Sequence, residues 1–187
     1  MMMDFYFSTH LRKTLMGRNL AKYLEAGKIA NTHGVRGDVV VDSLCDSPKI
    51  LAELKTLYIK RAGEYVKMDV ARSSLHQGRV LMRFEGVNSL DDAILYKGKS
   101  VYAAREDLKI PEDQIFIADL IGLDVFRADN KEKLGKISDV VNYGFNDILE
   151  IDRGQGVKTL VPNLEQFVEK ISLEEGVFII PVEGLLE

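Results

Sequence analysis

Residues 57–70 read LYIKRAGEYVKMDV and hold two strand-like runs around a turn signal. The runs LYIK and YVKMDV are short and rich in β-branched, aliphatic and aromatic residues, and Arg61-Ala-Gly-Glu64 between them is typical of a hairpin turn. The segments 38–43 and 79–85 are similar runs beside glycines. Short strands at hairpin spacing, without long crossover helices, predict a small β-barrel in the first half of the chain.

Two short helices are expected to interrupt these strands. Ser47 can cap a helix that has Pro48 at its first position and covers 49–55. Ser89 can cap a second helix, and Asp92 three residues later completes the pattern of a capping box. Both helices are too short to change the all-β character of the region.

The second half of the chain shows the same strand-and-turn pattern. Only the segment 163–168 resembles a helical turn, while Asp-Asn and Tyr-Gly pairs supply turn signals. Strands are predicted at 123–126, 135–141, 147–151, 158–161 and 176–181. The predicted fold class is therefore all-β with short helices, arranged as two β-barrels in tandem.

Composition excludes several classes of protein. The chain has 187 residues, 46% hydrophobic and 29% charged, which is ordinary for a folded globular protein and unlike collagen or a disordered chain. No apolar run approaches the roughly 18 residues that a membrane span needs. Cys45 is the single cysteine and is expected to be a small buried side chain. The three histidines have no matched spacing, so no metal site is predicted. No cofactor is expected.

The charge changes along the chain and suggests its domain boundaries. Residues 1–22 carry a net charge of +3 and are expected to be a disordered extension, with an organellar presequence as the alternative. Residues 23–102 carry 12 basic and 10 acidic side chains, and residues 115–187 carry 7 and 14. The polar stretch 103–114 between these oppositely charged halves is predicted to be a linker.

The segment 27–37, GKIANTHGVRG, is the densest motif of the first half. It could be a tight loop whose backbone approaches a phosphate, with Arg36 supplying charge. The alternative is a turn region in which Gly34 and Gly37 adopt positive φ. His33 could act as a general base, although no carboxylate is spaced to orient it, or hydrogen-bond to the turn. No P-loop, nucleophile elbow or zinc-protease motif accompanies it, and no enzyme activity is predicted.

The segment 114–124, QIFIADLIGLD, is the second dense motif. It contains more apolar residues than one face of a short strand can bury. We expect either a core strand followed by a turn at Gly122, or an apolar patch exposed for a protein partner. Residues 144–147, GFND, are expected to form a turn stabilised by side-chain hydrogen bonds to the backbone.

Several motifs, taken in order, closely resemble the bacterial RimM family of ribosome maturation factors. The resemblance covers about residues 22–187. The matching strings are GKI at 27–29, THGVRGDVV at 32–40, DLIGL at 119–123, LGKI at 134–137, GFNDIL at 144–149, VP at 161–162 and PVEGLL at 181–186.

The resemblance implies an N-terminal six-stranded barrel similar to those of translation factors, followed by a PRC-type barrel. It implies a non-enzymatic, chaperone-like role in 16S rRNA processing and in maturation of the 30S head. The implied partners are a basic small-subunit head ribosomal protein and 16S rRNA within the pre-30S particle. A cytoplasmic monomer without membrane contact is expected. A PRC-barrel interaction module without ribosome contact and a flavin-binding barrel enzyme remain as alternatives.

The resemblance also implies two sets of contact residues. The glycine-rich segment supplies the expected ribosome or RNA contacts: His33, Gly34, Arg36 and Gly37. The expected contacts to the ribosomal protein or between domains are Ile115, Phe116, Ile117, Asp119, Gly144, Asn146 and Asp147.

One position departs from the family pattern. The family often has paired tyrosines and a further aromatic residue before the DLIGL string, and here those positions read Ile115-Phe116-Ile117. The hydroxyl groups are absent, which leaves hydrophobic packing. Phe116 is expected at an interface or between domains, because Leu120, Ile121 and Leu123 can supply the barrel core.

Charge independently favours a different binding partner for each half of the chain. The second half, at −7, would be steered towards a basic ribosomal protein and would repel phosphate. RNA contact is therefore assigned to the first half, at +2, although a chain with net charge −4 should bind naked RNA only weakly.

Overall fold

The computed structural model describes residues 6–8, 20–108, 114–142 and 146–184. The chain divides into two compact units, one comprising Ala21–Lys109 and the other including Ile110–Glu187. Each unit is built mainly from antiparallel strands. No helix in the described ranges is long and apolar enough to span a membrane.

The first unit is a closed six-stranded barrel. Going around the barrel, the strands follow the order β2-β3-β6-β5-β4-β7, and neighbouring strands are antiparallel. The barrel strands are β2 (Tyr23–His33), β3 (Asp38–Ser43), β4 (Thr56–Arg61), β5 (Glu64–His76), β6 (Arg79–Phe84) and β7 (Ser100–Ala104). The short strand β1 (Tyr6–Ser8) precedes them in the chain and belongs to the second unit. The helices are α1 (Pro48–Glu53) and α2 (Leu90–Ile94), and a 3₁₀ turn covers Arg105–Asp107.

Alternation along the strands produces the interior of this barrel. Leu57, Ile59 and Val101 are fully buried, whereas Tyr58 and Tyr102, which alternate with them along β4 and β7, face outward. The β4–β5 connection is the predicted two-residue hairpin, with both Ala62 and Gly63 at positive φ. The stretch at 57–70 therefore forms the hairpin that its sequence predicts.

Both predicted helix caps are confirmed. The Ser47 hydroxyl accepts a hydrogen bond from the Lys49 amide at 3.3 Å, with Pro48 in the first turn. The Ser89 hydroxyl accepts from the Asp92 amide at 3.1 Å, and the Asp92 carboxylate accepts from the Ser89 amide at 3.1 Å. This reciprocal capping box lowers the pKa of Asp92 through the hydrogen bonds it receives.

The second unit contains a six-stranded sheet. Its order is β12-β11-β10-β9-β14-β13, in which β14 and β9 are parallel and the other neighbours are antiparallel. The sheet strands are β9 (Asp124–Arg127), β10 (Lys133–Asn142), β11 (Asp147–Gly154), β12 (Val157–Pro162), β13 (Val168–Ser172) and β14 (Gly176–Ile179). The strand β8 (Gln114–Phe116) and the one-turn helix α3 (Ile117–Leu120) precede them, and β8 pairs with β1.

One hydrophobic core fills the second unit. Leu120, Leu149 and Val177 are fully buried, and Ile115 joins the same cluster at 2% exposure. Leu123 is buried as expected, but Ile121 is 39% exposed. Ile115 therefore occupies a core position that the sequence analysis assigned to Ile121.

Three local predictions need correction and a fourth is confirmed. Residues 27–33 belong to the long strand β2, so only residues 34–37 form the expected loop. The sequence analysis also missed β7 and β13. Residue 117 begins α3, so the predicted core strand ends at Phe116. The turn at Gly122 is confirmed by its φ of 79°.

The expected extension and linker contain some regular structure where the structure describes them. Within residues 1–22, Tyr6–Ser8 form β1. Within residues 103–114, β7 continues through Ala104, which is 2% exposed, and β8 begins at Gln114. The division between the two units falls between these strands.

Candidate functional site

The β2–β3 loop presents the glycine-rich motif at one end of the first barrel. Gly34 and Gly37 have φ of 63° and 84°, as one of the two interpretations predicted. A Cβ at Gly34 would meet no atom within 4 Å, but a Cβ at Gly37 would collide with the carbonyl oxygen of Val87. Gly37 therefore holds the loop against the segment that leads into α2.

The remaining side chains of this loop face solvent. His33, Val35 and Arg36 are all exposed, Val35 by 75%. The His33 ring lies 5.6 Å from the ring of His76, measured between centroids. Arg36 makes no ion pair within the described part of the chain. The loop thus presents a guanidinium group that no carboxylate of the described residues neutralises.

An ion pair fixes the strand that follows the loop. The Arg83 guanidinium donates to both carboxylate oxygens of Asp38, at 2.9 and 2.7 Å. This bidentate contact raises the pKa of Arg83. Arg79 and Asp42 form a second pair between β6 and β3 at 2.9 Å. The two pairs connect β3 to β6 and position the first residue after the loop.

The apolar candidates of the second unit are buried or partly buried. Ile115 is 2% exposed and Phe116 is 3% exposed, while Ile117 is partly buried and packs against the core. Ile117 begins α3, so Ile115, Phe116 and Ile117 do not lie in one continuous strand. A side chain as buried as Phe116 offers a partner little contact area.

The polar candidates of the second unit serve mainly local structure. Asp119 is 7% exposed in the first turn of α3. The Asp147 carboxylate accepts a hydrogen bond from the Asn142 amide group at 2.9 Å, and its backbone carbonyl accepts from the Asn163 N–H at 2.8 Å. Asn146 is exposed. Gly144 lies outside the described residues.

The structure groups the candidates by unit. His33, Gly34, Arg36 and Gly37 share one loop of the first unit, and the other described candidates belong to the second. No group of three or more His, Cys, Asp or Glu in the described ranges could hold a metal ion. The candidate residues at the surface therefore provide charges and hydrogen-bonding groups.

Cys45 is buried, and its surroundings disfavour the reactive thiolate form. Its side chain is fully buried, and burial is the main cause that raises the pKa of its thiol to about 11. Its thiol points at the Ala26 carbonyl, with 3.7 Å between sulfur and oxygen. The predicted role as a small buried side chain is confirmed.

An acidic edge runs along β13 of the second unit. The strand is the last in its sheet, and exposed carboxylates lie before, on and after it: Glu165, Glu169 and Glu174. None of these three makes an ion pair with another described residue, whereas neighbouring Glu175 is paired with Lys170 at 2.6 Å. We call these three residues the acidic edge. The net charge of this half can be counted from the sequence, but the position of these three carboxylates along an edge strand cannot.

Two family models account for most of the chain. The model for the RimM N-terminal domain matches residues 24–108, and the model for the RimM PRC barrel domain matches residues 117–183. The chain belongs to the RimM family. The predicted two-domain fold class, a RimM barrel followed by a PRC barrel domain, is thereby confirmed. The N-terminal match also argues against a PRC module alone.

Curated RimM proteins match along nearly their whole length. The ribosome maturation factor RimM of Ruminiclostridium cellulolyticum is 34% identical over 90% of this chain and 100% of its own. That of Halalkalibacterium halodurans is 37% identical over the same shares. A crystal structure of a 16S ribosomal RNA processing protein RimM from Pseudomonas aeruginosa is 24% identical, with a TM-score of 0.44, and covers 86% of this chain and 98% of its own.

Sequence analysis missed one further feature of the RimM N-terminal barrel, a group of four neighbouring tyrosines on its outer surface. Tyr58 lies directly opposite Tyr102 across β4 and β7, and Tyr23 and Tyr65 pack against them. A signal was present in the hairpin at 57–70. Its two-residue turn fixes a register that places Tyr58 and Tyr65 on the same face of the sheet.

Proposed function

We propose that this RimM family member is a ribosome biogenesis factor of the cytoplasm that assists 16S rRNA processing and maturation of the 30S head. In this proposal the second unit binds a basic head ribosomal protein, and the first unit contacts rRNA in the same particle. The protein acts by holding a maturing segment until mature contacts replace it, and it acts as a monomer without catalysing a reaction.

The acidic edge is the observation that carries the protein contact. Its three glutamates are exposed and have no basic ion-pair partner among the described residues, so a basic ligand can pair with them. Residues 115–187 carry 14 acidic against 7 basic side chains, which adds a long-range field of the same sign. Such a field speeds encounter with a basic protein and slows encounter with RNA.

The loop of the first unit supports the RNA contact. Arg36 is exposed and has no ion-pair partner among the described residues, and the loop has glycines at positions 34 and 37. Arginine donors and backbone amides are the groups that most often contact phosphates. The surrounding unit has a net charge of +2 over residues 23–102, so this contact is not opposed by its own domain.

Charge reversal tests the protein contact. The double variant Glu169→Lys/Glu174→Lys should lose binding to small-subunit head ribosomal proteins in a pull-down with the full chain. Glu132→Lys reverses one charge at an exposed glutamate of the β9–β10 turn in the same unit; it is the control and should retain binding. Equal retention by both variants would remove the acidic edge from the proposal.

Co-sedimentation tests the function as a whole. The wild-type protein should travel with immature 30S particles and not with 70S ribosomes in a sucrose gradient. Arg36→Ala should keep the wild-type melting temperature and weaken this association, because it removes a charge that no fold contact uses. Absence of the wild-type protein from immature particles would refute the proposed function, and undiminished association of Arg36→Ala would refute the role of the loop.

A further inference from the structure

The outer face of β2, β7, β4 and β5 carries aromatic rings in register with lysines. One row across the four strands reads Glu25, Tyr102, Tyr58, Lys67, as given by the strand pairings. The adjacent row contains Lys28 opposite Ser100 and Lys60 opposite Tyr65. Tyr23 begins β2 beyond the first row. We call the four tyrosines, Tyr23, Tyr58, Tyr65 and Tyr102, the tyrosine face.

The rings of the tyrosine face are in mutual contact. Tyr23 stacks on Tyr65 with centroids 4.3 Å apart and lies 4.5 Å from Tyr58. Tyr65 meets Tyr102 edge-on at 5.1 Å. All four rings are half-buried, so each keeps part of its surface open to solvent. They are not core residues, because the neighbours Leu57, Ile59 and Val101 already fill the barrel interior.

Flexible cations lie over two of these rings. Lys22 Nζ is 5.4 Å from the centroid of Tyr23, and Lys60 Nζ is 5.6 Å from that of Tyr65. Neither lysine makes an ion pair with a residue that the structure describes. An exposed cation–π contact holds an ammonium group by only about 0.5–1 kcal/mol, so a better partner can draw each lysine away.

The charge of the face is positive. Lysines 22, 28, 60 and 67 border the rings. The acidic side chains nearest to them on the four strands are Glu25, in the first row, and Asp69, which lies opposite Thr56 in the row beyond it. Asp69 and Lys67 offset each other in an ion pair at 2.8 Å, and Asp69 also accepts a hydrogen bond from the Thr56 hydroxyl at 3.0 Å. Lys22, Lys28 and Lys60 then outnumber Glu25. Aromatic faces bordered by lysines match single-stranded nucleic acid, whose bases stack while its phosphates need cations.

We infer that the tyrosine face binds unpaired RNA, with bases stacking on Tyr23 and Tyr65 while Lys22 and Lys60 move to the flanking phosphates. This inference rests on the proposed RNA contact of the first unit and adds where and by what chemistry it occurs. The surface is distinct from the Arg36 loop, since Tyr23 and His33 are the opposite ends of the 11-residue strand β2. Duplex RNA cannot use it, because paired bases do not offer their faces.

The absence of tryptophan makes the interaction directly observable. The chain has seven tyrosines and no tryptophan, so its intrinsic emission comes from tyrosine, and four of the seven form this face. Titrating the full chain with a short oligouridylate at low salt should quench this emission. Fluorescence anisotropy of a labelled oligouridylate gives the affinity, and a duplex RNA of equal length should bind several-fold more weakly.

Matched variants separate stacking from folding. Tyr65→Ala should weaken oligouridylate binding by about fivefold or more, the range for losing one stacked base, while Tyr65→Phe keeps the ring and stays within about twofold of wild type. Tyr96→Ala is the control, since Tyr96 is a half-buried tyrosine of the same unit that contacts Arg61 and Lys99 instead. Melting curves establish that each variant is folded.

Replacing a lysine of this surface should change how steeply RNA affinity falls with salt. Lys60→Ala should reduce the slope of log affinity against log salt by about 0.7, the value for one phosphate contact with a single strand. Lys49→Ala removes an equal charge from α1, where Lys49 lies 3.8 Å from Glu53, and should leave the slope unchanged.

The inference and the proposed function fail in different measurements. If wild type co-sediments with immature particles but shows neither quenching nor a preference for the single strand, the inference is wrong and the proposed function stands. Equal binding by Tyr65→Ala and Tyr65→Phe would also overturn the inference. If Tyr65→Ala keeps its RNA affinity but loses a ribosomal protein in pull-downs, the face is a protein interface instead.

Discussion

Replacing Gly37 by alanine should destabilise the first barrel far more than the same change at Gly34. Both glycines have positive φ, 84° and 63°, so an L side chain is strained at either position. That strain costs about 1–2 kcal/mol per residue. Only Gly37 adds a steric conflict, because its Cβ would overlap the Val87 carbonyl oxygen and lie 2.8 Å from the Val87 carbonyl carbon.

The steric conflict sets the difference between the two variants. The Val87 contact is with backbone, which cannot move aside as a flexible side chain can. Overpacking of this kind costs a further 1–3 kcal/mol or so. Gly34→Ala should therefore lose about 1–2 kcal/mol and Gly37→Ala about 2–5 kcal/mol of unfolding free energy.

Urea unfolding followed by tyrosine emission measures both variants. Five of the seven tyrosines lie between residues 23 and 102, so the signal reports chiefly on the first unit. Circular dichroism melts provide a second probe of the whole chain. Unfolding free energies for the two variants that agree within about 0.5 kcal/mol would refute the reasoning, since they would show that the Val87 segment yields without cost.

Two further predictions concern the second unit. Phe116→Ala should lower its unfolding free energy by about 3–5 kcal/mol in urea melts, as expected for a buried ring, while Ile121→Ala, at 39% exposure, should cost much less; equal costs would contradict the burial of Phe116. Hydrogen bonds from Lys133 and Lys136 lower the pKa of Asp124 from 3.8 to about 2, so its contribution is present above pH 3.8 and lost as the pH falls through 2. Asp124→Asn should cost about 1 kcal/mol or less at pH 7, because the carboxylate is 38% exposed, and the gap from wild type should close near pH 2.

Local rules predicted most strands and both helix caps of the first unit. Turn residues at Ala62–Gly63 and the Ser89–Asp92 capping box act over four or five residues, so a short window of sequence contains all the information. The strand β2 escaped prediction because its sequence includes Gly27, Asn31 and Thr32, residues that also suit turns. Its pairing with both β3 and β7 stabilises it, and those contacts are distant in sequence.

The helix at Ile117–Leu120 shows how packing decides between local alternatives. IFIADLIGL is apolar enough for a strand, but a continuous strand could not place Ile115, Phe116 and Leu120 all in buried positions. Ending the strand at Phe116 and turning once allows it, and each of the three is less than 4% exposed. No pattern within this segment distinguishes the two solutions, since both bury the same residue types.

The sequence predicts a group of candidate contact residues only where residues close in space are also close in sequence. The β2–β3 loop holds His33, Gly34, Arg36 and Gly37 together because they are consecutive or nearly so. The tyrosine face is assembled from β2, β4, β5 and β7, and the acidic edge depends on β13 being the last strand of its sheet. Both require strand order, which single-sequence patterns do not specify.

Opposite charges on the two units explain why RNA contact in this protein should depend on stacking. A chain with net charge −4 gains little from long-range attraction to phosphate, and the 14 acidic residues of the second half repel it. Stacking acts only at contact and is not screened by salt in the same way, so it can operate within that field. Under the proposed function, the acidic half directs the protein towards a particle through attraction to a basic protein. The tyrosine face of the proposal then distinguishes unpaired from paired RNA only after docking. Salt should accordingly weaken protein-anchored association more steeply than it weakens tyrosine quenching by oligouridylate.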